Sequence, residues 1–340
     1  MDKTPQAGAS GLYQPLRTPT SIRVLELEPG KGRSALRAKL ETVNLKDDPK
    51  PTYEALSYTW GSSSKGRKIY IASEKLSITN NLYDALRRLR RKDKVKTIWV
   101  DAICIDQTNN RERSHQVAIM GNIYRQARYV NAWFGEPGRF WSAYSTLRLS
   151  IVADTGEAAL PHPWLRGHVL SDAVLRTVPA WSTRVWVVQE AAYAEELYLC
   201  FGRFRWMYPY GGFPGHYPPR IKQLTECLYS YHGRRAGVHT LSGMLDTLST
   251  TDLSASDPRD FVYSMLSFVK RDEARAIGSD YTLAVEEVYA KATFAALKHE
   301  GHCEILDYVQ SEGHFIQYKT GKCEGIPSTA SRAWASRPQW

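Results

Sequence analysis

No stretch of this 340-residue sequence is apolar over anything near the roughly 18 residues that a membrane helix needs, so no membrane segment is expected. The first twenty residues, MDKTPQAGASGLYQPLRTPT, have no apolar core, which excludes a secretory signal there. Cysteine is sparse. Cys104, Cys200, Cys227, Cys303 and Cys323 are odd in number, scattered and without CxxC spacing. That excludes a disulfide framework and a thiolate zinc site, and fits reduced thiols in a cytoplasmic protein. The net charge of +10 raises the question of nucleic acid, but no zinc-finger or RNA-recognition signature accompanies it. Its densest basic block, residues 87–96, ends an expected helix, where cations oppose the macrodipole; nucleic acid is therefore not the expected partner.

What is present is the composition of a globular protein, 43% hydrophobic and 24% charged, with length enough for one large domain or two smaller ones. Residues 98–135 organise the rest. Ile98-Trp99-Val100 and Ile103-Cys104-Ile105 read as a strand buried on both faces, interrupted by Asp101 and closed by Asp106-Gln107. Polar groups at the C-terminal end of such a strand sit where open α/β sheets hold ligands. Asn109 and Glu112 have capping-box spacing, and Val117, Met120, Tyr124 and Ala127 follow at helical spacing. Residues 129–134 return to strand character, and Gly135 stops them.

Residues 1–20, rich in Pro, Gly, Ser and Thr, are expected to be a disordered leader. Residues 21–28 alternate as a strand, with 38–45 as its partner, and 53–61 (YEALSYTWG) form another. The run GSSSKGRK at 61–68 fails as a phosphate-binding P-loop: Arg67 and Lys68 stand where Lys and Ser or Thr belong, and strand residues follow. Residues 68–78 read as a hairpin, and Asn80 or Asn81 as the cap of a helix with Leu82, Ala85, Leu86 and Leu89 inward. Residues 136–180 read as an insertion, 181–196 as helix and 197–201 as strand. Beyond 203, after a Gly-, Pro- and Tyr-rich loop, helices are expected near 220–232, 238–249, 257–269 and 284–299, with Asp257-Pro258 opening the third. The divisions are 1–20, 21–202, a mainly helical 203–319 and an irregular tail, 320–340.

These segments carry a resemblance. YEALSYTWG at 53–61, ITNNL at 78–82, IWVDAICIDQ at 98–107, Glu112-Arg113, Gln116-Val117, RVWVVQE at 184–190 and DPRD at 257–260 together resemble the fungal heterokaryon-incompatibility (HET) domain. Asp106 and Thr183 depart from it mildly, standing where asparagine and serine are more usual. The resemblance implies self/non-self recognition that triggers programmed cell death. It also implies a distant likeness to TIR domains, whose enzymatic members cleave NAD at the nicotinamide–ribose bond. The fold expected is then an α/β, flavodoxin-like, mostly parallel sheet flanked by helices, with N-terminal strand additions and a C-terminal helical subdomain.

TIR domains carry a Trp-x-x-x-Glu element on a helix, a spacing matched by Trp186 and Glu190. The resemblance makes Glu190 the catalytic carboxylate of a possible NAD nucleosidase, with NAD as substrate and not as cofactor. Trp186 would stack on a ring, and Ser57, Tyr58, Trp60, Gly61 and Asp101 would shape the substrate pocket. Each residue has an ordinary alternative: Glu190 paired with Arg184 or Arg113, Trp186 in the core, Asp101 bonded to Ser57, Tyr58 or a backbone turn. Cys104 reads as an inert buried thiol, and Asp101 with Asp106 is too few ligands for a metal. The alternative function is a non-catalytic module acting by self-association or on an unknown protein partner or sensor.

Overall fold

The computed structural model describes residues 11–32, 34–61, 66–136, 181–202, 204–208, 239–249, 253–300, 310–311 and 314–315. The expected insertion at 136–180 (after Glu136), the helix near 220–232 and the tail at 320–340 lie outside the described residues. Of the expected leader, residues 1–10 do as well, but Tyr13 and Gln14 pack on the first strand.

Nine strands form one sheet, in the order β5-β4-β2-β1-β6-β3-β7-β8-β9. Its centre is parallel. β3 (Glu54–Tyr58) lies between β6 (Lys96–Trp99) and β7 (Val130–Trp133), and β8 (Leu197–Phe201) extends it beyond β7. Every residue of β3 and β7 is buried, as expected of strands covered on both faces. The N-terminal additions are present: β1 (Ser21–Leu27) pairs antiparallel with both β6 and β2 (Leu36–Asn44). The hairpin of β4 (Arg67–Ile71) and β5 (Glu74–Ile78) then joins parallel to β2, and β9 (Phe204–Met207) closes the far edge antiparallel to β8. The sheet as a whole is therefore mixed, with a parallel block confined to four strands. The antiparallel pairings come from hairpins and from the additions at both edges.

Three local expectations change. Residues 101–104 are not strand: α2 (Asp101–Cys104) is a single helical turn that leaves β6 immediately after Val100. Ile103 and Cys104 are buried by that turn, which mimics the apolar pattern of a strand. The cap of α1 (Asn80–Leu89) is Thr79, whose hydroxyl accepts from Leu82 N at 3.3 Å; Leu82, Ala85, Leu86 and Leu89 are its buried face. For α3 (Asn110–Gln126), Asn109 is the cap as expected, accepting from the Arg111 and Glu112 amides. Glu112 does not reach back to it. Its carboxylate instead takes the Asp106 amide at 2.8 Å and the guanidinium of Arg23, 2% exposed within β1.

α4 (Trp186–Ala192) packs on α3, and residues 253–300 close over both. That region contains α6 (Asp260–Tyr263), α7 (Arg271–Ile277) and α8 (Val285–Glu300), with α5 (Leu241–Ser249) packed beside them. Residues 257–269 hold only this short α6 in place of the longer expected helix, with turns either side, and α7 was not anticipated. Asp257 still caps the turn ahead of α6, its carboxylate accepting from the Arg259 amide at 3.1 Å. The Tyr193 ring stacks on Phe268 at 4.8 Å, and Tyr193 Oη donates to the Ser267 carbonyl.

Candidate functional site

In chain order the four parallel strands run second, first, third and fourth across the sheet, so successive connections leave β3 on opposite sides. A crevice opens outside the carboxyl ends of strands at such a switch. A cavity of about 550 Å³ lies there. Thr59, Trp60 and Gly61 reach it from the end of β3, Asp101 from the end of β6, and Trp186 and Glu190 from α4. Its other walls are Gln107, Arg113, Val117 and Met120 on the α3 side and Asp257, Asp260 and Tyr281 from the C-terminal region.

Backbone geometry explains how the end of β3 reaches the cavity. Gly61 has φ +72°, a left-handed conformation that glycine adopts without penalty. Asn81 clamps the two strand ends: its Nδ2 donates to the Thr59 carbonyl at 2.6 Å, and its Oδ1 accepts from Trp133 Nε1 at 2.9 Å. Asn81 is therefore a tie between strands and not a helix cap.

Glu190 is 3% exposed. The Ser57 hydroxyl donates to its Oε2, and Trp181 Nε1 donates to that hydroxyl at 2.8 Å. Arg184 Nη2 lies 3.7 Å from Oε1, while its Nη1 donates to the Tyr58 carbonyl. Burial raises the pKa of Glu190; Arg184 and Ser57 oppose the rise without cancelling it. Asp101 is half-buried, with Trp60 Nε1 donating to Oδ2 at 3.0 Å and the Ala102 amide to Oδ1 at 2.7 Å. Its pKa is likewise raised by burial against the pull of Arg184 and Trp60. Burial disfavours the charge on Arg184, yet the Glu190 and Asp101 carboxylates outweigh it and hold the guanidinium firmly protonated.

The opposite wall is a second charged group. Arg113 Nη2 stands 3.2 Å from Asp257 Oδ2 and stacks 3.4 Å above the Tyr281 ring. Burial works against the Asp257 charge, but hydrogen bonds from Arg259 keep its carboxyl below the usual range. Asp260 accepts from the Tyr281 hydroxyl and is raised by burial.

Of the seven residues singled out in the sequence, Trp60, Gly61, Asp101, Trp186 and Glu190 line the cavity. Ser57 and Tyr58 do not. They sit behind it, Ser57 holding Glu190 and the Tyr58 ring buried in the core. Asp101 bonds neither of them; of the expected partners it takes the backbone one, the Ala102 amide of its own turn, and adds the Trp60 indole. Glu190 faces Arg184, whereas Arg113 is taken by Asp257. Sequence reasoning missed Asp257, Asp260 and Tyr281 as wall residues, although the DPRD block at 257–260 was the available signal. Asp106 turns to Thr108, and Gln107 Nε2 ties to the Asp101 carbonyl at 2.9 Å, so both hold the loop before α3. The Cys104 thiol is pushed up to about 12 by burial, the mark of an inert group.

No helix among the described residues is long and apolar enough to cross a membrane. No solved structure matches this chain. Heterokaryon incompatibility protein 6, OR allele, of Neurospora crassa is 28% identical over 230 residues, which is 53% of this chain and 33% of that protein. The chain thus spans about a third of the length of the curated relative it matches. Residues 53–190 match the family model described as Heterokaryon incompatibility protein (HET), running from the start of β3 to the buried carboxylate of α4. Over residues 53–190 this chain is thus similar to the heterokaryon incompatibility (HET) family, the same family that its sequence blocks resemble.

Proposed function

We propose that this protein acts in heterokaryon-incompatibility self/non-self recognition and cell death, and that its cavity is a TIR-like nucleotide site that hydrolyses NAD with Glu190 as the reacting carboxylate. The observation that carries the reading is Glu190 itself: a buried carboxylate at the crevice of a parallel block, held by Ser57 and Arg184 and flanked by Trp186. The second-first-third-fourth strand order is that of flavodoxin-like sheets, which supports the TIR-like comparison.

In the reaction, the bond between nicotinamide nitrogen and ribose C1′ breaks, and its electron pair goes to the ring nitrogen. The pyridinium leaves as neutral nicotinamide, so no general acid is needed. Positive charge develops on the ribosyl C1′ and O4′, where an anionic Glu190 stabilises it, as carboxylates do in glycosidases. Water adds to C1′ and gives up its proton to solvent. Trp186 and Trp60 supply aromatic faces for the bases, and Asp101 accepts from a ribose hydroxyl.

The deciding experiment follows nicotinamide release from NAD by concentrated protein with a crowding agent, beside Glu190→Gln. Release by the wild type alone, with an unchanged melting temperature in the variant, supports hydrolysis. Release by both proteins removes Glu190 from the chemistry. One observation favours a second reading, a non-catalytic association module: Ser57 and Arg184 already occupy both carboxylate oxygens, an arrangement that also serves as a structural anchor. That reading expects no release, concentration-dependent association, and a lowered melting temperature for Glu190→Gln.

A further inference from the structure

A second cavity, about 420 Å³, lies between α3, α4 and the segment from α6 to Ser279. Adjacent residues of α4 face different cavities, Glu190 the first and Gln189 the second, and Val117 of α3 lines both. The volume is in the range of roughly 300–1,000 Å³ typical of small-molecule sites.

Its charge is of one sign. Among the described residues, Arg125, Arg271 and Arg275 line it and no carboxylate does. Arg125 is already oriented, its guanidinium 4.2 Å from the Tyr193 ring centroid and bonded to Asn122 Oδ1 at 2.8 Å. Arg271 and Arg275 are exposed; Arg275 makes a 3.9 Å contact to Asp272, itself largely exposed. At the inner end Gln189 is 1% exposed. Its Nε2 donates to the Ser267 hydroxyl at 2.6 Å, while Oε1 has no hydrogen-bond partner among the described residues. Buried amide oxygens are almost always satisfied, so this one calls for a donor.

Guanidinium groups match phosphate oxygens in geometry and charge. Gln189 Oε1 accepts only from an N–H or O–H. We propose that this second cavity binds a small phosphomonoester carrying its own hydrogen-bond donors, of the nucleoside or sugar phosphate class, with phosphate on Arg271 and Arg275 and a hydroxyl or amino group on Gln189. The site is separate from the one assigned to NAD, and its existence does not depend on that reaction.

Calorimetric titration with adenosine 5′-monophosphate, adenosine and inorganic phosphate tests it. Wild type and Trp186→Ala, altered only in the first cavity, are expected to bind the monophosphate equally. The double variant Arg271→Ala, Arg275→Ala, at exposed positions that leave folding intact, is expected to bind it at least tenfold more weakly. Gln189→Met is expected to erase the preference for the monophosphate over phosphate alone. Absence of binding by the wild type at millimolar ligand overturns the proposal, as does undiminished binding by the double arginine variant. Loss of binding in Trp186→Ala alone also overturns it, because the ligand then occupies the first cavity. Phosphate binding as tightly as the nucleotide reduces the site to a basic patch and overturns the assigned role of Gln189.

Discussion

Burial sets the direction in which the pKa of Glu190 shifts, and the Ser57 hydroxyl, after Arg184, restrains it. Burial pushes the carboxyl up, and the Ser57 hydrogen bond is among the few interactions holding it down. Ser57→Ala removes that restraint, so the pKa of Glu190 rises further. Activity that needs the ionised carboxylate is then lost at a higher pH as acidity increases; a pH–rate profile whose acid limb does not move upward would contradict this. Asp101 is a different case. Both its oxygens accept, one from the Trp60 indole and one from the Ala102 amide, and an asparagine presents a donor to one of them. Asp101→Asn is expected to cost about 1 kcal/mol and to free Trp60, read as a lower denaturation midpoint and a changed tryptophan emission. The residue types at these positions were legible in the sequence, and so was the pairing of Trp186 with Glu190 four residues apart. The partners were not, because Ser57 and Glu190 are 133 residues apart along the chain.

At the scale of elements, α3 carries a glycine in its middle for a packing reason. A Cβ on Gly121 would stand 2.8 Å from Tyr193 Cε2 and 3.0 Å from Ser267 Cβ, and the Tyr193 ring is pinned by its stack on Phe268. Gly→Ala in a helix interior normally gains up to about 1 kcal/mol, whereas overpacking of this kind costs about 1–3 kcal/mol. Overpacking wins, so Gly121→Ala is expected to lower the melting temperature; a rise would show that the ring yields. The start of α5 is held by carboxyl groups from other helices: Glu273 Oε1 accepts from the Leu241 amide and Glu300 Oε1 from the Ser242 amide. Burial and the neighbouring Glu300 raise Glu273 from 4.5 to about 7. An acid raised on folding binds more protons in the native state than in the unfolded one between those values, so stability falls as pH rises from 4.5 to 7. Denaturant midpoints across that window should decline for the wild type and flatten for Glu273→Gln.

For the whole molecule, the N-terminal sheet and the C-terminal helices share one cavity. Asp257, Asp260 and Tyr281 wall it opposite Asp101 and Glu190, Gln189 donates to Ser267, and the Val185 amide donates to the Ser254 carbonyl. A chain ending at Gly202 would lose that wall and uncover α3 and α4. It is expected to aggregate or to melt without cooperativity, and a soluble, cooperatively melting fragment would show that the helices are a separable half. Part of the basic block that raised the question of nucleic acid is committed within the fold, while Arg91, Lys92 and Lys94 are exposed. Arg88 pairs with Glu136, Arg90 donates to the Ser34 and Ala35 carbonyls, and Lys96 pairs with Glu54 at 2.7 Å.

Local pattern alone determined the strands β1, β3, β7 and β8, the hairpin of β4 and β5, the inward face of α1 and the Asn109 cap. Each depends on residues within a turn or a strand of one another, where the period of the apolar positions speaks directly. The family resemblance was likewise written in short blocks. The tertiary structure alone decided that 101–104 is a helical turn and that Thr79 caps α1 while Asn81 ties β3 to β7. It also decided that Ser57 and Tyr58 stand behind the site while Asp257, Asp260 and Tyr281 stand in it. These outcomes turn on which distant group satisfies a buried polar atom, and that is settled only when the strands and helices are packed.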